Sequence, residues 1–251
     1  MQDTSLLPRV EKTTFDGVAA WIKRPEATRS NGFTLLHSLL KPVMPPALHP
    51  TGALGGMDAI RQEAGRLNVF AQAGLPAPRV LELRSDCVIL SDTGAQLRDT
   101  LHSLADDKQR LHLIERAMRG LGAVHAAKLC HGRPFLKDMT IGADDQLSFL
   151  DLEENPTARM SLQDAQARDV WLLLLASTEF YLGPPPETPL QGLTDLLDVY
   201  LTECGTSLTP QLRNLGRALR PYRRVMSVLR LKDVSKDAAG AYWSMRVLEQ
   251  L

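Results

Sequence analysis

Only three cysteines occur in 251 residues, Cys87, Cys130 and Cys204. So small, odd and scattered a set excludes a disulfide framework and a cysteine zinc site; it reads as the reduced thiols of a cytoplasmic protein. The six histidines show no metal-ligand spacing. Neither sign of charge is in excess, because 29 Lys and Arg face 29 Asp and Glu. No global field draws nucleic acid or anionic lipid, so a nucleic-acid partner is not expected and lipid contact needs a local patch. Long apolar runs are also missing. The longest, VWLLLLA around Trp171, falls far short of the ~20 residues that span a bilayer and suits a buried helix. The opening MQDTSLLPRVEK has no basic segment followed by an apolar one, so no signal peptide is expected. G-x-S-x-G, P-loop and G-x-G-x-x-G patterns do not occur, nor do repeats or low-complexity tracts.

The composition, 44% hydrophobic and 23% charged, is that of a globular chain, long enough for one large domain or two small lobes. RVEKTTF and VAAWIKR flank Asp16-Gly17, a strong two-residue turn signal, and predict a hairpin. Residues 25–57, rich in Pro and Gly, read as a long loop around the short apolar stretch FTLLHSLL. In MDAIRQEAGRLNVFAQAG, Ile60, Ala64, Leu67 and Phe70 recur at helical spacing and Gly74 is a stop. Two strand-like runs follow, RVLELR and CVILSD, and Thr93-Gly94 closes the strand-rich part. From residue 96 the chain reads as helical, interrupted by short strands at MTIG and QLSFLDL with a turn at Asp144-Asp145. Later helices include one broken at Pro221. Strands segregated from helices predict an α+β fold in two lobes, residues 1–93 and 94–251.

Four polar features stand in a suggestive order. Lys23 ends an apolar strand; Glu63 lies on the one helix of the strand-rich part; His131-Gly132 opens a loop after a long helix; Asp151 follows the strand LSFL. Phosphoryl transfer is mostly positioning and charge neutralisation, and a strand Lys, a helix Glu and a strand-end carboxylate supply these.

The segment LGAVHAAKLCHGRPFLKDMTI…LSFLDLE resembles the catalytic segment of the protein-kinase-like superfamily, closest to the lipopolysaccharide kinases of the Kdo kinase/WaaP type. The resemblance, over roughly residues 15–175, implies a two-lobed kinase-like fold and an ATP- and Mg²⁺-dependent phosphotransferase. It further implies a hydroxyl acceptor, on a lipopolysaccharide-type sugar or a protein. Lys23 would hold nucleotide phosphates and Glu63 would orient it. Asp151, with Asp138, would bind Mg²⁺, and Arg133 and Lys137 would clamp phosphate or acceptor. His131 and Asp169 (in ARDVW) would brace the loop.

This sequence also departs from that pattern. Arg133 stands where the family has its catalytic-base Asp, and Asp138 where it has a metal-binding Asn. Lys23 and Glu63 are 40 residues apart, which requires an insertion. Lys41 is nearer to Glu63, but Pro42 marks a loop end, so Lys23 is the better candidate. Asp138 reads equally as a metal ligand or as an ion-pair partner of Arg133 or Lys137. Two functions stay open: an active phosphotransferase, or a catalytically impaired pseudokinase serving as a nucleotide-binding or regulatory module. An aminoglycoside- or choline-phosphotransferase-like enzyme is a third, although it too would want the missing Asp. The basic run RALRPYRRVMSVLRLK places Arg217, Arg220, Arg224 and Lys232 on one helix, either a solvated face or a weak peripheral contact with anionic lipid.

Overall fold

A computed structural model describes residues 7–26, 54–182 and 189–251. Lys41, the stretch FTLLHSLL and most of the proline-rich segment after Gly183 lie outside the described residues.

The chain is a mixed α+β fold, with a small antiparallel sheet in its N-terminal part and helices through its C-terminal part. Strands β1 (Val10–Phe15) and β2 (Val18–Lys23) form a hairpin whose turn residues Asp16 and Gly17 have φ of 47° and 78°. Both positive values are what a tight two-residue turn of the right twist needs, and Asp and Gly are the residues that tolerate them. Strands β3 (Val80–Leu83) and β4 (Val88–Ser91) complete the sheet in the order β1-β2-β4-β3.

Helix α1 (Gly56–Gln72) packs on this sheet through Ile60, Glu63, Ala64, Leu67 and Phe70, a stripe of helical period. It stops at Gly74, φ 70°, where the N–H groups of Gly74 and Leu75 donate to the carbonyls of Ala71 and Phe70. This double bond pattern needs a left-handed residue, and glycine adopts that conformation without steric cost.

Strand character does not end at Thr93-Gly94. The two residues of β5 (Ala95–Gln96) pair with β6 (Met139–Ile141), which pairs with β7 (Leu147–Phe149), forming a second sheet in the order β5-β6-β7. Two residues carry no periodicity, so the strand is invisible in sequence. Gly94, φ 109°, runs so close to β6 that a Cβ would lie 2.0 Å from the Ile141 carbonyl oxygen. The hydroxyls of Thr93 and Thr140 meet at 2.7 Å beside it.

The helical part comprises α2 (Leu97–Ser103), α3 (Asp107–Ala126), α4 (Leu162–Ser177), α5 (Leu190–Cys204), α6 (Thr209–Val228) and α7 (Lys236–Leu248). Helix α4 contains VWLLLLA and is buried on most sides, which explains its nearly continuous apolar sequence. Pro221 does not break α6, which runs on to Val228. The carbonyl that loses its intrahelical partner is that of Arg217, an exposed residue. Lys232 is not on that helix. Arg230 ends the helical segment in a left-handed conformation, φ 52°, and Lys232 follows in a short 3-10 turn. Cys87, Cys130 and Cys204 are all free thiols.

Candidate functional site

In β2 the side-chain period of two puts Lys23 on the same face as Trp21, and both border the cleft described below, with Lys23 buried at the strand's end. Helix α1 presents Glu63 from its buried stripe. Lys23 Nζ lies 2.8 Å from Glu63 Oε1 and 2.7 Å from Oε2. The chain leaves β7 at Phe149, and two residues later Asp151 adopts φ 58°, a left-handed conformation that costs energy outside glycine. That turn brings Asp151 Oδ1 to 2.7 Å from the same Lys23 ammonium. Lys23 is only 8% exposed and Glu63 2%. Burial opposes the Lys23 charge, but Glu63 and Asp151 outweigh it and hold the ammonium's pKa above its ordinary value.

The loop after α3 carries His131, Gly132 and Arg133. It is anchored from beneath by Asp169 of α4, which is fully buried and accepts from the backbone N–H groups of His131 (2.6 Å) and Gly132 (2.9 Å). His125 Nε2 lies 3.4 Å from the same carboxylate, and its Nδ1 is 2.6 Å from the Tyr200 hydroxyl. A buried carboxylate needs such hydrogen-bond partners in place of water. Gly132 has φ 105°, and a Cβ there would meet Glu154 and Pro156 at 3.2 Å. The His131 ring is fully buried, edge-on to Phe149; burial lowers its pKa to about 4, so it is a neutral imidazole at pH 7.

Arg133 reaches back over this loop. Its Nη2 donates to Asp151 Oδ2 at 2.9 Å, and its Nε lies 3.8 Å from both Asp138 Oδ2 and Glu154 Oε1. Asp151 is therefore gripped at both oxygens by protein cations. Burial alone would raise its pKa, but Lys23 and then Arg133 bring it below the ordinary carboxylate value. Asp138 ends a 3-10 turn (Leu136–Asp138), and its Oδ2 is buried without a hydrogen-bond partner. Burial, then repulsion from Asp151, raises its pKa to about 7 despite Arg133 and Lys137. Lys137 is exposed, 6.0 Å from the centre of the Phe135 ring.

Lys23, Glu63, Asp138, Asp151 and Lys137 all border one cleft of about 830 Å³, closed on its other side by Leu90 and the Ser91–Thr93 connection. Its size suits a small-molecule ligand. His131 and Asp169 do not line it, and Arg133 meets it through Asp151.

The oxygen donors suit a hard cation such as Mg²⁺. One oxygen each of Glu63, Asp151 and Glu153 lie within 4.8 Å of one another, and Asp138 adds an orphaned buried oxygen. Glu63, Asp151 and Glu153 thus have the oxygen chemistry for a divalent cation and share the Lys23 ammonium among them, while Asp138 lies outside that group.

Sequence reading missed Arg66. Its guanidinium reaches from α1 to the carbonyls of Cys130 (2.5 Å), His131 (3.1 Å), Leu152 (3.1 Å) and Glu154, while Gln62 Nε2 donates to the Glu153 carbonyl at 2.6 Å. One helix is thereby tied to both the His131 loop and the Asp151 loop. The signal available was spacing: Gln62 and Arg66 are one turn apart beside Glu63. Arg9 and Glu153, 3.0 Å apart, were also missed.

No model of a known protein family matches the sequence. A stretch of 152 residues, 60% of this chain, is 26% identical to an uncharacterized protein of Haemophilus influenzae, and the match covers 55% of that protein. The chain thus spans about half the length of that relative.

Proposed function

We propose that this chain is a phosphotransferase of two-lobed, protein-kinase-like build. It binds ATP with Mg²⁺ in the cleft beside Lys23 and passes a phosphoryl group to a hydroxyl acceptor, on a lipopolysaccharide-type sugar or a protein. The observation that carries this reading is the buried Lys23–Glu63 pair meeting Asp151 at the cleft. Burying such a cluster gains little stability, since the desolvation of each charge cancels much of the attraction. A fold that keeps it next to a ligand-sized cleft points to function.

In this reading the Lys23 ammonium, kept charged and aimed by Glu63, neutralises the inner phosphates. Asp151 and Asp138 are the carboxylates that would hold Mg²⁺, which when bound supplies charge neutralisation at the outer phosphates. Arg133 and Lys137 sit on the His131 loop, where a guanidinium and an ammonium can clamp a terminal phosphate or an anionic acceptor. Arg133 cannot accept a proton. A general base typically contributes ~10²–10⁴-fold, so its loss slows such a reaction without abolishing it.

The Arg133–Asp151 bond favours a second reading, in which the chain binds nucleotide but does not turn it over and acts as a regulatory module. Phosphate transfer from ATP, measured across a panel of hydroxyl acceptors with wild type and Arg133→Asp, separates the two. Turnover by wild type supports the enzyme. Turnover only by the variant supports the module, and none by either, with ATP bound, rules out the enzyme.

A further inference from the structure

We propose that the end of α6 and the turn after it, residues 217–236, form a docking surface for an anionic lipid bilayer. This inference is independent of the nucleotide reading.

Exposed apolar residues concentrate here. Tyr222, Val225, Val228, Leu229, Leu231 and Val234 all lie within thirteen residues, with Val228 81% and Val234 75% exposed. They follow a charged stripe. Arg213, Arg217, Arg220 and Arg224 recur at intervals of four, three and four, which puts them on one face of α6, opposite buried Leu212, Leu215 and Leu219. Val228 continues the stripe one turn further, so the arginines lead directly to the apolar tip. From 217 to 236 the chain has seven basic residues and one acid, Asp233. Arg217 and Arg224 have no carboxylate within ion-pair reach among the described residues. The tip is held in shape from behind, where Lys232 Nζ stands 5.4 Å from the Tyr242 ring and 5.6 Å from that of Trp243.

Charge complementarity selects the occupant. An apolar tip rimmed mainly by positive charge, seven basic residues to one acid, matches a membrane surface, where valine and leucine enter the acyl boundary and arginines meet lipid phosphates. A second copy of this chain would set arginine against arginine. Nucleic acid would use the arginines but leave the apolar tip in water.

The test is co-sedimentation of the full chain with vesicles of phosphatidylcholine alone and of phosphatidylcholine mixed with phosphatidylserine. Binding is expected on the mixed vesicles, several-fold weaker on the neutral ones, and falling with added salt. A Val228→Glu/Val234→Glu pair is expected to weaken it about tenfold through lost apolar insertion, and Arg217→Glu/Arg224→Glu to remove the preference for anionic lipid. All four positions are exposed, so unchanged melting of the variants confirms an intact fold. Absent binding, equal binding to both vesicle types, or variants indistinguishable from wild type overturns the proposal. So does a dimer in light scattering that Val228→Glu abolishes, if it comes without vesicle binding, since a second copy would then own the surface.

Discussion

Arg133 Nη2 lies 2.9 Å from Asp151 Oδ2, on the oxygen that Lys23 leaves open. The guanidinium stands where a cation would serve the proposed site, so under the proposed function Asp151 would exchange one positive partner for another on binding nucleotide and metal. Arg133→Ala removes that competitor. A charge-assisted bond is worth about 1.5–3 kcal/mol, so the Mg²⁺ concentration needed to support ATP binding should fall by about tenfold or more. Calorimetric titration of ATP at graded Mg²⁺ reads this directly. An unchanged Mg²⁺ requirement would show that Arg133 does not compete for Asp151.

Lys23→Met leaves Glu63 and Asp151 buried beside each other without their shared cation. Breaking such a cluster costs about 3–5 kcal/mol. Asp151 keeps Arg133, but Glu63 is left buried beside a like charge without its cation and would have a raised pKa in the fold, so the penalty applies at pH 8 and shrinks as it protonates toward pH 5. Urea unfolding of both proteins at the two pH values measures the gap. A gap independent of pH would assign the loss to packing, not to charge.

Asp138 gives a pH dependence of its own. Its folded pKa is about 7 against an ordinary 3.8, because it is buried near Asp151. Where the folded carboxyl keeps its proton and the unfolded one does not, stability falls as pH rises. The full benefit exists below the unfolded value and is gone above about pH 7. Asp138→Asn removes this titration. In the absence of nucleotide the variant should match wild type near pH 4 and exceed it by about 2 kcal/mol or more at pH 8. A stability difference that does not change between those pH values would contradict the assignment.

Arg66→Ala releases four carbonyls of the two loops from α1. Burial lowers the pKa of this guanidinium without discharging it, so the bonds are charge-assisted. The expected loss is about 3 kcal/mol, with faster amide exchange at residues 130–133 and 152–154 than in the rest of the chain. Arg66→Lys should recover only part, because one ammonium cannot span both loops. Uniformly accelerated exchange would mean that Arg66 supports the fold as a whole and not these loops.

Much of the framework was legible in the sequence because it rests on local rules. Asp16-Gly17 specifies a hairpin through two positive φ angles. The period of Ile60, Ala64, Leu67 and Phe70, stopped by Gly74, specifies α1. The β6–β7 hairpin shows as two apolar runs around Asp144-Asp145. Other features have no local signature. The pairing of β5 depends on where β6 arrives 44 residues later, and Pro221 is tolerated where the residue whose carbonyl it orphans, Arg217, is exposed. Of the site, the types and order of Lys23, Glu63, Asp138 and Asp151 could be read. The grip of Arg133 on Asp151 and of Arg66 on the loops could not, since each joins residues far apart in sequence through long, flexible side chains. The insertion expected between Lys23 and Glu63 lies largely outside the described residues.

The proposed function stands or falls with nucleotide binding in the cleft beside Lys23. Isothermal titration of ATP into wild type and Asp151→Ala, each with Mg²⁺ and with chelator, tests it most directly. Saturable binding of one ATP per chain to wild type is expected, strengthened by Mg²⁺, with that Mg²⁺ effect lost in Asp151→Ala. No binding to wild type, or identical binding and Mg²⁺ response in the variant, would contradict it.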